Sequence, residues 1–295
     1  MVEMLMRKDS RKLSHSQNFL KSPEYVGSLI DRTDIGNDDL VVEIGPGKGI
    51  ITEALAKRAG RVIGVEFDSE LAVELKNQFL NYPNVEIVED DFLTWDLPRG
   101  PYKVFANIPF NMTADIVNKL LTGQNPPEAT YLVMQDKAAE RFIGQPVGSN
   151  SQASILLQPF YDMGIFTRIE RSQFEPRPSV DAVLARFEKR SQQKVDPKNR
   201  QLYRDFVIYG YNQWQPTVLD AFRKIFSGEQ LKTMAEKLGI SGLKPTEITI
   251  EQWLGMFESF LKYVPQARKG QVRGEEKRLA AKHMGRQKLH RTLAN

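Results

Sequence analysis

The amino-acid sequence predicts an α/β fold: a mostly parallel seven-stranded sheet ending in an antiparallel hairpin, followed by a small all-helical domain. Three observations carry this expectation. From Leu40 to Phe187 short apolar runs alternate with stretches of helical periodicity. The last two strand-like runs have no room between them for a crossover helix. From Asn199 to Tyr263 the periodicity is helical throughout.

The elements follow in order. Leu40–Ile44 is a short apolar run ending in a glycine turn, as a buried parallel strand is. Ile50, Ile51, Ala54, Leu55 and Ala59 then share one helical face. Strands are predicted at Arg61–Glu66, Val85–Val88, Val104–Ala106 and Tyr131–Met134, with helices at Leu71–Phe79, Thr113–Leu121 and Lys137–Ile143. Ile165–Arg171 and Val180–Phe187 form the expected hairpin. A Ser-, Gln- and Lys-rich stretch after Lys189, with Pro197, reads as a linker. Ser227 before Gln230 and Thr249 before Gln252 mark helix starts in the segment beyond it. The expected divisions are therefore 1–189, 190–264 and a basic tail, 265–295, disordered in the free protein.

Composition narrows the chemistry. The 295 residues are 41% hydrophobic and 26% charged, ordinary for a globular protein. There is no cysteine, so disulfides and thiolate chemistry are excluded. The three histidines, His15, His283 and His290, lie outside the patterned region, and no metal site is expected. With no membrane-spanning run and no signal-peptide core at its start, the chain is expected to be a cytoplasmic monomer. The net charge is +4, yet the tail from Pro265 holds nine Lys or Arg against two Glu. A basic tail on a near-neutral body is the footprint of a nucleic-acid binder.

Glu43-Ile44-Gly45-Pro46-Gly47-Lys48-Gly49 sits at a strand end and opens a helix. Glycines there let the backbone turn sharply and admit a ligand. Alone, the loop also suits a dinucleotide or a simple strand cap. Glu66 ends the second strand nineteen positions after Gly47, where an acid binds ribose hydroxyls. Asp91 follows the third strand, and its carboxylate can accept from an adenine amino group bordered by Phe92. Glycines, ribose acid and adenine acid at three adjacent strand ends are the layout for an adenosyl ligand.

Asn107-Ile108-Pro109-Phe110 directly follows the fourth strand. Methylating an aniline-like amine from a sulfonium needs little acid–base power. It needs acceptors that localise the amine lone pair and aim it. The Asn107 side-chain oxygen and the Ile108 carbonyl are such acceptors, Pro109 fixes the turn, and Phe110 offers a face on which a flipped adenine can stack.

Five motifs in this order resemble the ribosomal RNA adenine dimethyltransferases, the family that includes the KsgA and Erm enzymes. They are Ser16–Leu20, Glu43–Gly49 with Glu66-Phe67, Asp91-Phe92, Asn107–Phe110, and Phe174-Glu175-Pro176-Arg177-Pro178-Ser179-Val180-Asp181. The resemblance implies a Rossmann-like class I methyltransferase domain with S-adenosylmethionine as cofactor. It implies that Asn18, Phe19, Gly45, Gly47, Glu66, Phe67, Asp91, Phe92 and Asn107 bind that cofactor. Phe174 is expected to stack on the target base opposite Phe110. Ile108 is the usual Erm choice, and Gly210–Pro216 lacks the Arg/Lys-rich helix start of KsgA-like enzymes. The Erm branch implies dimethylation of an adenine in the peptidyl-transferase loop of protein-poor 23S rRNA, with macrolide, lincosamide and streptogramin B resistance. Phe110 departs from the Tyr of most Erm sequences. Arg7, Lys8, Arg11 and Lys12 are expected to clamp RNA near the active site, and Arg268, Lys269 and Arg273 to add affinity from the tail. A KsgA-like small-subunit enzyme and a non-catalytic nucleic-acid-binding factor on the same fold are the alternatives, with DNA adenine methylation, which shares an Asn-X-Pro-aromatic motif, a weaker one.

Overall fold

The computed structural model describes residues 18–282. Arg7, Lys8, Arg11 and Lys12, like the three histidines, lie outside these residues. The chain divides into two compact units. One runs to Ala139 and resumes over Asp162–Lys189; the other comprises Glu140–Tyr161 and the chain from Arg190 onward. The sequence reading placed one boundary at Lys189 and did not separate the inner segment.

The strands are β1 (Phe19–Leu20), β2 (Leu40–Ile44), β3 (Arg61–Glu66), β4 (Val85–Glu89), β5 (Lys103–Asn107), β6 (Ala129–Gln135), β7 (Tyr161–Ile169), β8 (Phe174–Glu175) and β9 (Ala182–Lys189). The first unit is built on a seven-stranded sheet of order β4-β3-β2-β5-β6-β9-β7. The pairs among β2, β3, β4, β5 and β6 are parallel, and β9 runs antiparallel to β6 with Ala129 opposite Glu188 and Gln135 opposite Ala182. The expected architecture is therefore present. The central strands are apolar on both faces because helices cover both; Val41, Val62, Val104, Phe105 and Leu132 are buried. Those helices are α1 (Pro23–Ile30), α2 (Ile50–Ala56), α3 (Ser69–Gln78) and α4 (Thr113–Thr122). The strand order reverses between β2 and β5, so a crevice opens at their carboxyl ends.

A second pairing went unseen in the sequence. β1 lies antiparallel to β8, with Leu20 opposite Phe174 and Phe19 opposite Glu175. Two-residue strands carry no periodicity, so only the tertiary fold reveals them.

α5 (Asp136–Ile143) leads out of the first unit. The second holds α6 (Gln152–Leu157), α7 (Arg200–Tyr211), α8 (Val218–Ala221), α9 (Gly228–Leu238), α10 (Ile250–Tyr263) and α11 (Gln266–Val272). Its core is aromatic: Phe206 stacks on Phe222 with centroids 4.5 Å apart and meets Trp253, Phe257 and Phe260. The predicted helix starts are real capping boxes, Ser227 with Gln230 and Thr249 with Gln252.

The expectation of a disordered tail is overturned as far as Lys282. α11 is helical, Val264 and Val272 are buried, and a further helical turn follows over 275–282. Buried Asp205 on α7 accepts from the Gly274 and Glu276 N–H groups, and Arg204 pairs with Glu276. The charge count concealed two apolar anchors and a helix start whose capping carboxylate is about seventy residues away. Among the described residues no helix is long and apolar enough to cross a membrane.

Candidate active site

The glycine loop leaves β2 and enters α2 with Gly45, Gly47 and Gly49 all at positive φ. Gly45, at φ +63°, has open space where a Cβ would stand. Gly47 differs: a Cβ there would lie 2.6 Å from the Phe19 ring. Phe19 thus closes over the loop from β1, with the Lys48 ammonium 5.7 Å from its ring centroid.

Glu66 ends β3 with its carboxylate already oriented. Oε2 accepts from the Gly47 N–H at 3.0 Å and Oε1 from the Asp68 N–H at 3.0 Å. Each oxygen retains acceptor capacity for a ribose hydroxyl. At the next strand end, Asp91 Oδ1 accepts from the Leu93 N–H at 2.9 Å, which holds the turn and leaves Oδ2 as a second acceptor. Glu43 is buried. Its Oε2 accepts from the Thr52 hydroxyl at 2.6 Å, while Oε1 has no partner among the described residues. Burial pushes the Glu43 carboxyl up to about 8, against the Thr52 bond and with help from the nearby Glu66 charge.

Two adjoining clefts result. The larger, about 780 Å³, is bordered by Glu66, Phe67, Asp91, Phe92 and Pro109. The smaller, about 510 Å³, is bordered by Asn18, Phe19, Asn107, Ile108 and Phe110. Gly45 borders both. The structure thus brings the glycine loop, Glu66, Asp91 and Asn107–Phe110 to one end of the sheet.

The reaction motif is fixed from several sides. Asn107 ends β5, and its Nδ2 donates to the Asn18 carbonyl at 2.7 Å, so Oδ1 is the end of the amide left to accept. The Ile108 N–H donates to the Val133 carbonyl at 3.2 Å. The Met112 N–H bonds the Pro109 carbonyl and the Thr113 hydroxyl bonds that of Phe110, closing the turn into α4. Phe110 is half-buried and borders the smaller cleft.

Two expected site residues are elsewhere. Phe174 is only 1% exposed, packs in the core with Leu20, Val26 and Phe105, and borders neither cleft. It does not offer a face to a base; its strand pins β1, and through β1 the Asn18 carbonyl that orients Asn107. Lys269 is also withdrawn. Its stem is buried in α11, its ammonium donates to the Leu261 carbonyl at 2.7 Å and lies 5.9 Å from the Phe260 ring. It caps the end of α10 and presents no charge to RNA. Arg268 and Arg273 are exposed.

Other residues of the site were missed. Met112 and Ile116, one helical turn apart at the start of α4, border the larger cleft with Leu71. Their spacing immediately after the reaction motif was the available signal. Lys119, one turn further, donates to the Trp95 carbonyl and lies 5.1 Å from the Phe92 ring, bracing the turn that holds Asp91. Burial pushes its ammonium down, against the carboxylates of Asp91, Asp96 and Asp90.

These residues fit S-adenosylmethionine: an open glycine cradle at Gly45 and oriented acceptors at Glu66 and Asp91. Fold and site together define a class I S-adenosylmethionine-dependent methyltransferase. Residues 8–262 match the family model described as ribosomal RNA adenine dimethylase, and the chain belongs to that family. An rRNA adenine N-6-methyltransferase of Lysinibacillus sphaericus is 31% identical over 249 residues, 84% of this chain and 96% of that protein. A ribosomal RNA small subunit methyltransferase A of Clostridium perfringens is 30% identical over 270 residues, 88% and 95% of the two chains. Among solved structures, the 23S rRNA methyltransferase ErmE is similar, with a TM-score of 0.76 and 26% identity over 83% of this chain and all of that one.

Proposed function

We propose that the chain dimethylates the exocyclic amine of one adenine in the peptidyl-transferase loop of 23S rRNA, conferring macrolide, lincosamide and streptogramin B resistance. The observation that carries the chemistry is the Asn107 amide, held by Asn18 so that its oxygen can accept. When bound, S-adenosylmethionine supplies a methyl group on a sulfonium that is already electrophilic. Glu66 and Asp91 hold the ribose and adenine, and the glycine loop admits the rest. Asn107 Oδ1 and the Ile108 carbonyl accept the hydrogens of the target amine, which localises its lone pair and fixes its direction. Phe110 stacks on the extruded base. With the cofactor bound, the amine lone pair would take the methyl group as the sulfur–methyl bond breaks to leave a neutral thioether. The amine proton would pass to solvent, and no side chain needs to titrate.

Likeness to ErmE across all of that chain, together with Ile108 and the uncharged Gly210–Pro216 segment, supports the large-subunit target. The similar small-subunit enzyme favours the second reading, methylation of small-subunit rRNA. Methyl transfer into protein-free 23S rRNA and into immature small subunits separates them. The wild type should modify the first, and should raise macrolide resistance in a sensitive bacterium while an equally expressed Asn107→Ala variant does not. Methylation confined to small subunits overturns the proposal.

A further inference from the structure

The protein has three tryptophans, at 95, 214 and 253, and among the described residues only one of them stands apart from other rings. Trp253 is buried against Phe206, Phe222 and Tyr211, and Trp95 meets Phe92. Trp214, in the loop between α7 and α8, is 94% exposed. It is also the one non-glycine residue at positive φ among the described residues, at +53°. A bulky residue holds that conformation only where its surroundings enforce it, at a cost in backbone strain. Nothing apolar is gained in return, because the ring is in solvent.

The loop is clamped on both sides. On one, Asn212 closes the end of α7: its N–H bonds the Ile208 carbonyl at 3.1 Å, and its Nδ2 donates to Ile208 and to Gln152. Tyr211 before it stacks on Trp253 at 5.5 Å and donates its hydroxyl to the Pro245 carbonyl. On the other side Thr217 caps α8, and the Val218 N–H donates to the Leu243 carbonyl at 2.8 Å. That last bond sets exposed Lys244 beside the loop. The loop itself, Asn212–Thr217, has no charge; it offers an indole flanked by the amides of Gln213 and Gln215.

We infer that Trp214 is a stacking platform for an unpaired base of the RNA substrate, a contact made by the helical unit and separate from the site that receives the target adenine. The inference rests on the rRNA-methyltransferase reading. An exposed ring with only two side-chain torsions, on a braced loop, stacks with a modest loss of freedom, and its uncharged neighbours suit a base better than a phosphate. The flanking amides can accept from and donate to base edges, and Lys244 can meet the adjoining backbone.

The test uses the full chain, a transcript of the 23S peptidyl-transferase loop, and the variants Trp214→Asn and Trp214→Phe. Asparagine tolerates the left-handed backbone, so it removes the ring without adding strain. One stacked base is worth about 1–3 kcal/mol, so Trp214→Asn should weaken RNA binding by about 5- to 150-fold and raise KM for RNA. Trp214→Phe should stay within about threefold of wild type on the same stacking scale. KM for S-adenosylmethionine should not move, Tm should not fall, and the salt dependence should keep its slope, because no counterion is released by stacking. Equal RNA affinity in Trp214→Asn and wild type overturns the inference, including where the ring proves to bind a protein instead. Failure of the wild type to methylate any rRNA is a different result, and it overturns the enzyme reading on which the inference stands.

Discussion

Gly47 and Glu43 show how little freedom the cofactor loop has. An alanine at 47 meets both a left-handed backbone and the Phe19 ring at 2.6 Å, so Gly47→Ala should lose S-adenosylmethionine binding by at least about tenfold in calorimetric titration. Gly45→Ala, with open space at its Cβ, carries the backbone penalty and a side chain in the cradle. Glu43 gives a pH signature. Its folded carboxyl titrates near 8 and its unfolded one near 4.5, so between these values the folded state holds the extra proton. Stability is then greatest at low pH within the window and falls as pH rises through it, by about 1.4 kcal/mol per unit. Denaturation of wild type and Glu43→Gln across that window checks this; the glutamine should remove most of the slope. The acid's place in the motif was legible in the sequence, but not that its second oxygen is buried without a partner.

Among the elements, β1 and β8 are where sequence and structure part most instructively. Phe174 sits in a segment that resembles a base-stacking motif, and a local pattern cannot tell a ring facing a cleft from one facing the core. Pairing of Leu20 with Phe174 across about 150 residues of chain decides it. Phe174→Ala should therefore cost about 3–5 kcal/mol as a core truncation. It should also raise KM for S-adenosylmethionine, because Asn18 and Phe19 lose their anchor; Phe174→Leu should restore much of both in melting and kinetic assays. A base-stacking role would instead move KM for RNA. By contrast, the parallel strands and the two capping boxes were legible, since each is written in neighbouring residues. α11 and the helical segment after it were not, because their apolar anchors are only Val264 and Val272 in a run of charge, and Asp205, which caps the later segment, is about seventy residues away in the chain.

For the whole molecule, charge counted along the sequence overstates charge offered to a partner. Among the tail residues expected to meet RNA, Lys269 is spent inside the fold while Arg268 and Arg273 remain exposed. Replacing both arginines with glutamine should lessen the steepness of log K against log salt by about 1–2, and replacing Lys269 should lower Tm and leave that slope alone. The order in which the chain is joined has a further effect. The segment Glu140–Tyr161 belongs with helices that begin at Arg200, and β7 and β9 complete the sheet only after it. On the ribosome, which releases the chain from its amino terminus, the first unit has all its residues once Lys189 emerges, but the second does not: Ile155, Leu156 and Phe160 must wait for the carboxyl third before their apolar surface is covered. A protein cut at the linker after Lys189 would carry that waiting surface permanently, and would meet quality control as an unfinished chain rather than as a smaller enzyme.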